Sequence, residues 1–390
     1  MASYYLPRHS QLARSVLYTV SILGFFALLV FPISTGLFSE SLSLARQHRI
    51  GSRSLPYNTV LSGWERLDDA LNGFTTFFYD LSEGAAADTT LLLVPFVGSA
   101  IGILVLGMVE SRRSGNIGKL PSFFTTMAML GQLLGLGFVS PAFLGLCLEQ
   151  QGAGLTSRDI AIDPEKSYTI PLTIVLGFGI PSLLAALPAP SLISVDLKVQ
   201  FVRIWEIFPI AIYLVRRLLQ IGECTFRTKV RQGRPPFSIP HGVYAFGFVC
   251  SALSYVYFWS ISLTAYFVPF LFRSHIALAL DPVHLVRLVN PFVTNVTMPS
   301  LSEGILQFVQ WDLALISIAH LIWALALRLR QLPNYPGRIS TKSIVARAIL
   351  CAVILGPVSS AILMVWERDV EVLGNEARLS REAAIKKRDP

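Results

Sequence analysis

The residues able to do chemistry are few in this chain, and they gather in short polar segments between apolar runs. Glu110-Ser111-Arg112-Arg113-Ser114-Gly115-Asn116 closes one such run. Glu110 and Arg113 stand three apart, so a helix sets them on adjoining faces. The pair either satisfies itself at a polar helix end or tunes the protonation of a carboxyl. Arg203 and Glu206 repeat the spacing, with Gln200 one turn earlier and Trp205 between them. Gln132 is a hydrogen-bonding amide in the middle of an apolar stretch and needs a partner there. The segment from Trp64 to Gly84 joins Asp68, Asp69, Asp80 and Glu83 to the rings of Phe74, Phe77, Phe78 and Tyr79. It reads either as an interfacial helix with charged ends or as a cap that holds Asp69, Asp80 or Glu83 over a helix bundle as a general acid. Tyr255, Trp259 and Tyr266 share one helical stripe. Their ring faces suit a cationic intermediate, and the same spacing serves helix packing and interfacial belts.

Several chemistries are excluded by what these segments lack. Asp68-Asp69 is not continued as DDxxD, and no DxDD occurs, so a magnesium-held diphosphate is not expected. There is no P-loop, no HExxH, no GxSxG and no Rossmann glycine pattern. Cys147, Cys224, Cys250 and Cys351 form no CxxC and no metal spacing. The sequence predicts no metal site and no disulfide scaffold.

The elements that must position these groups follow from composition. Of 390 residues, 53% are apolar and 14% charged, with a mean hydropathy of +0.57. That is too little polar surface for a soluble globule. The net charge of +8 is spread between apolar spans, so it points to head groups and topology rather than to nucleic acid. About 20 apolar residues cross a bilayer as a helix. Eight spans are expected: Ser15–Leu37, Leu91–Val109, Ser122–Leu148, Tyr168–Leu187, Phe201–Leu219, Val243–Phe272, Leu313–Leu327 and Ile344–Trp366, the seventh being the shortest, with a tilted start at Ile305 as its alternative. The fold class is therefore all-α, a polytopic transmembrane bundle over residues 1–366, followed by a polar charged tail over 367–390. The patch Ala70–Tyr79 is too short to span and reads as an amphipathic or re-entrant segment in the first long loop. Lysine and arginine are nearly balanced across the two sides, which leaves orientation open. The Asn295-Val296-Thr297 sequon is the one glycosylation signal.

The stretch from Trp64 to Glu149 resembles the fungal integral-membrane terpene cyclases of meroterpenoid pathways, specifically the ascofuranone-type group. The matching features are Leu67-Asp68-Asp69-Ala70-Leu71, Phe77-Phe78 followed by Glu83-Gly84, the segment from Val109 to Asn116, and Gln132 before Pro141. A weaker match follows at Gln200 and Trp205-Glu206-Ile207-Phe208-Pro209. Two positions depart from the pattern: Glu83 stands where the family has aspartate, and Glu206 where it has glutamine. The resemblance implies a cofactor-free, acid-initiated cyclisation of a lipophilic prenylated substrate, usually farnesyl-derived and often bearing a terminal epoxide. It implies Glu83, Asp69 and Glu110 as acids, in that order. Arg113, Asn116 and Gln132 would orient the acid or bind the polar head of the substrate, and Tyr255, Trp259 and Tyr266 would wall the cation. The roles of Glu206 and Asp80 stay undecided. The expected partners are this substrate and the bilayer, and the expected location is a multi-pass membrane protein of the endoplasmic reticulum.

Two other classes fit the composition. A small-molecule transporter needs a polar path through the bundle and broken helices, for which Pro171, Pro181, Pro209 and Pro269 are candidates. A non-enzymatic membrane scaffold needs neither chamber nor buried acid. The position of the carboxyls relative to an aromatic-lined cavity separates the three.

Overall fold

A computed structural model describes residues 8–51, 54–150, 156–226, 239–293, 298, 300–331 and 340–386. The sequon lies outside them. Among the described residues the regular structure is helical apart from a two-residue antiparallel ribbon that pairs Arg49–Ile50 with Leu55–Pro56. Five helical stretches are long and apolar enough to cross a bilayer: His9–Ser34, Ala87–Arg112, Ser167–Ala185, His241–Phe267 and Leu301–Leu329. Helix α1 is Arg8–Phe25, α2 Leu37–Arg46, α3 Glu65–Ser82 and α4 Ala87–Arg112. Helix α5 is Phe124–Leu134, α6 Leu136–Gln150, α7 Pro164–Ile174, α8 Val195–Glu206 and α9 Phe208–Phe226. Helix α10 is His241–Phe267, α11 Leu301–Leu329, α12 Thr341–Leu355 and α13 Pro357–Lys386.

Five of the eight expected spans thus correspond to long apolar helices, and each of the other three is divided between two helices in series. The stretch Ser122–Leu148 breaks between α5 and α6, where Gly135 takes φ +89°. The stretch Ile344–Trp366 breaks between α12 and α13, where Gly356 takes φ +96° just before Pro357. Both glycines adopt backbone that a side chain would resist. The stretch Phe201–Leu219 breaks at Ile207 between α8 and α9. Pro209 lacks an N–H, and its ring would crowd the carbonyl of Trp205, so the first helix stops there. Helix α13 runs on without interruption through the expected start of the polar tail at residue 367. Prolines shape the unbroken spans as well. The π-turns Phe26–Val30 and Val175–Gly179 each stand just ahead of a proline, Pro32 and Pro181. The wider turn makes room for a ring that an α-turn would push into the carbonyl four residues back.

Close helix approach depends on small residues, as expected where lipid removes the hydrophobic drive between helices. Helix α4 packs along α10. A Cβ at its Gly98 would come within 2.5 Å of the Ser254 Cβ, and one at Gly102 within 2.7 Å of Val358. On the other side of the bundle, a Cβ at Gly24 of α1 would reach 2.5 Å from the Gly137 carbonyl of α6. A Cβ at Gly137 would in turn stand 2.9 Å from Leu315 of α11. These contacts bring the break before α6 against the middle of α11.

Candidate active site

Helix α3 has two faces of different chemistry. Ala70, Gly73, Phe74, Phe77, Phe78 and Leu81 recur at helical spacing and line one side of a cavity of about 280 Å³. That is near the lower end of pockets that hold small organic ligands, about 300–1,000 Å³. Asn72, Thr75, Thr76 and Tyr79 are buried on the remaining faces. The rest of the cavity wall comes from the π-turns Phe26–Val30 and Val175–Gly179, α2, α4, the α5–α6 break, α8, α9 and α11.

Aromatic rings dominate the wall. Phe78 stands edge-on to Phe74 at 4.7 Å, to Trp205 at 4.9 Å and to Phe77 at 5.1 Å. Phe77 meets Phe308 at 5.2 Å, and Phe178 meets Phe208 at 4.9 Å. A wall carrying many aromatic rings suits a positive charge, which ring faces attract. Trp205 is held in place by its indole N–H, which donates to Ser182 Oγ at 2.9 Å. Leu133 and Leu134 are exposed, so the wall thins there to an apolar rim on the flank of the bundle.

Few polar side chains reach this cavity. Ser41 spends its hydroxyl on its own helix, donating to the Leu37 carbonyl at 3.2 Å. Gln132 lies in the wall, and its buried Nε2 has no acceptor among the described residues. Asp312, in α11, is 4% exposed and also lies in the wall. Its Oδ1 accepts the Gly137 N–H at 2.5 Å. That donor is free because the first N–H groups of a helix have no acceptor inside it.

The acids expected from sequence lie around α3 and at the end of α4. Asp69 pairs with Arg46 at 2.9 Å, both partly exposed. Glu83 caps α3 and packs over Gly51, whose added Cβ would stand 3.0 Å from its Oε1. Neither lines the cavity. Asp68 binds the turn before α3, accepting from the N–H groups of Leu61, Ser62 and Gly63 and from the Ser62 hydroxyl. These bonds, the Ser62 pair first, hold it down at about 2. Burial pushes Asp80 up to about 7, with Glu83 and Glu40 adding to it. Lys198 donates to the Ser82 carbonyl at 2.8 Å beneath the Tyr79 ring, and burial draws it down to about 8. On the same side Arg203 donates to Asn72 Oδ1 at 2.8 Å, and Glu206 Oε2 lies 3.3 Å from the Thr75 hydroxyl.

Glu110, Arg113 and Asn116 come together in a separate buried ion cluster. Glu110 Oε1 lies 2.9 Å from Arg113 Nε and 2.9 Å from Arg368 Nη2, while Asn116 Nδ2 donates to its Oε2 at 3.0 Å. Asp369 completes the set, accepting from Arg113 Nη2 at 2.8 Å and from the Tyr244 hydroxyl at 2.6 Å. Arg113 also donates to the Ile160 carbonyl at 2.9 Å. The cluster joins the end of α4 to α10 and α13. Beside Glu110, His320 and Trp323 it leaves a void of about 20 Å³, room for one water. Tyr255 packs against Gly356 and stands 6.2 Å from Trp259, and Tyr266 is 56% exposed. These three rings are outside the cavity wall.

A family model described as the CtvD domain matches residues 13–373. The chain belongs to the CtvD domain family. It is similar to the terpene cyclase ascI of Acremonium egyptiacum, 26% identical over 89% of this chain and 88% of that protein. It is also similar to the terpene cyclase ctvD of Aspergillus terreus, 24% identical over 91% and 98% of the two chains. The terpene cyclase penA of Penicillium crustosum is 23% identical over 92% and 95%. No solved structure matches. The CtvD match takes in both the cavity and the ion cluster.

Three residues of this CtvD-family chain that the structure makes prominent were not singled out in the sequence. Asp312 stands one residue before the expected seventh span if that span starts at Leu313, and inside it if the span starts at Ile305. A signal for its depth was present in Ser300-Leu301-Ser302-Glu303, a helix-start pattern twelve residues upstream, and Ser300 does cap α11 by accepting from the Glu303 N–H. Arg368 and Asp369 read as part of a polar tail because no local pattern tells a buried ion pair from a solvated one.

Proposed function

We propose that this protein is a membrane-embedded terpene cyclase that takes a lipophilic prenylated substrate into the cavity beneath α3. The substrate is a farnesyl-derived chain with a terminal epoxide or alkene, joined to a polar aryl head. Cyclisation starts by protonation and needs no cofactor. The cation then moves along the rings of Phe77, Phe78, Trp205 and Phe308 and closes rings before water can reach it. The observation that carries this reading is an apolar chamber with nine aromatic rings among its 25 lining residues and an acid set into the wall. The apolar rim at Leu133 and Leu134 suits entry of a substrate that partitions into lipid. Gln132 binds a substrate oxygen. Glu110, Arg113 and Asn116 hold helix ends together, and Asp69 and Glu83 anchor the helix that roofs the chamber. The membrane is that of the endoplasmic reticulum.

The test is conversion by the purified chain in lipid nanodiscs, in the presence of a chelator. A panel of epoxyfarnesyl phenols and plain polyenyl phenols is supplied, and products are separated by chromatography. The expected product has the mass of its substrate and fewer double bonds. Failure to convert any member of the panel contradicts the reading.

A further inference from the structure

Asp312 is the one carboxylic acid among the residues that line the aromatic cavity. Among the described residues no Lys, Arg or His is within ion-pair distance of it, in contrast to Glu110, which faces two guanidinium groups. Its only hydrogen bond there is the one that Oδ1 accepts from Gly137. Oδ2 is left for the cavity. The placement depends on backbone that only glycine supplies. The helix breaks at Gly135, φ +89°, and restarts as α6 at Leu136. A side chain at Gly137 would bring its Cβ to 3.0 Å from Asp312 Oδ1 and 2.9 Å from Leu315. Apart from Ser41, Gln132 and Asp312 the lining side chains are apolar, and an unpaired carboxylate is costly in such surroundings.

We propose that Asp312 is the catalytic proton donor of the cyclisation, and that Gln132 Nε2 holds the substrate oxygen beside it. This rests on the cyclase reading above and names the group that starts the reaction. The Oδ2–H bond breaks as a new bond forms from that proton to the epoxide oxygen, or to the terminal alkene carbon. Opening of the epoxide C–O bond, or loss of the alkene π bond, leaves the cation that the next double bond attacks. The last cation loses a proton, from a C–H bond or from a captured hydroxyl, and that proton returns to Asp312. Nothing is oxidised or reduced, and the product is an isomer of the substrate. Between the two transfers the carboxylate is held by the Gly137 N–H and faces the positive end of α6. The wall therefore excludes the charge from the resting site yet steadies it while the substrate carries the matching cation.

Two experiments test this together. Asp312→Asn keeps the acceptor for Gly137 and removes the proton. It is expected to lower turnover at least about 100-fold, the usual worth of a general acid, with binding of an unreactive prenyl ether unchanged. Turnover within about threefold of wild type overturns the proposal. The second experiment uses the unmodified chain, so it stands even if the variant fails to fold. A prenyl diazo compound forms an ester with a protonated carboxylic acid and releases nitrogen. It is expected to esterify Asp312, read by peptide mass spectrometry, and an excess of prenyl ether is expected to block the labelling. Labelling that leaves Asp312 untouched overturns the proposal. If the wild-type chain converts no substrate, the cyclase reading fails on its own, and the esterification still reports on Asp312.

Discussion

Replacing Glu110 by Gln separates an acid from a clamp. Glu110 is 4% exposed, and its Oε1 lies 2.9 Å from each of two guanidinium groups. Together with Asp369 the cluster holds two negative and two positive charges, so it is neutral. The substitution leaves one buried positive charge without a counter-charge. It also turns an amide N–H₂ toward either Asn116 Nδ2 or a guanidinium, donor against donor. Removing one partner of a buried ion pair costs about 3–5 kcal/mol, and that is the loss expected for Glu110→Gln. Adding Arg368→Met restores neutrality and leaves Arg113 with Asp369, so the double variant should recover about 1–3 kcal/mol of the loss. The assay is unfolding of the purified protein in mixed micelles with rising SDS, run as a double-mutant cycle. Cyclisation per folded molecule should be unchanged in Glu110→Gln. A loss below about 1 kcal/mol, as for an exposed pair, would refute the dry cluster. A folded variant with abolished turnover would refute the assignment of Glu110 to holding helices.

Other consequences follow from the surroundings of α3. Asp80 is pushed up to about 7, so between about pH 4 and 7 the unfolded chain ionises it while the folded chain does not. Stability should therefore fall as pH rises through that window. Asp80→Asn should raise stability at pH 8 by up to about 4 kcal/mol, at about 1.4 kcal/mol per pH unit, and leave it unchanged at pH 4, as read by thermal unfolding in detergent. Asp68 is held down at about 2, so its contribution is complete above about pH 4 and disappears as pH falls toward 2. Asp68→Asn should flatten that acid limb of the unfolding profile. Trp205→Ala should cost about 3–5 kcal/mol and divert products toward water-quenched alcohols, seen by mass spectrometry as substrate plus water, while Trp205→Phe should keep the ring-closed products dominant.

Spacing and composition made the helical class and five of the long spans legible, because an apolar run of bilayer length leaves the backbone few alternatives. Gln132 was legible as an amide needing a partner, and it does lie in the cavity wall. The paired faces of α3 were half visible. Phe74, Phe77 and Phe78 mark one face by their spacing, but nothing local says that Thr75 turns toward Glu206 and Thr76 is buried rather than turned toward water. The breaks at Gly135 and Gly356 were hidden, since an isolated glycine in an apolar run is compatible with a continuous helix. The distant members of the Glu110–Arg113 cluster were hidden for a different reason. Arg368 and Asp369 are more than two hundred and fifty residues away in sequence, and only the docking of α13 along α10 and α11 brings them there. Asp312 was within reach of the sequence if the seventh span starts at Ile305, but its hydrogen-bond donor exists only because a different stretch is broken.

The most direct measurement is the place where a prenyl chain sits. A farnesyl phenol carrying a diazirine at the chain terminus, irradiated with the protein in nanodiscs and mapped by peptide mass spectrometry, is predicted to label Phe74, Phe77, Leu134 or Phe308. Labels confined to the outer face of α10 around Tyr266, or to the ion cluster at Glu110, would contradict the chamber beneath α3.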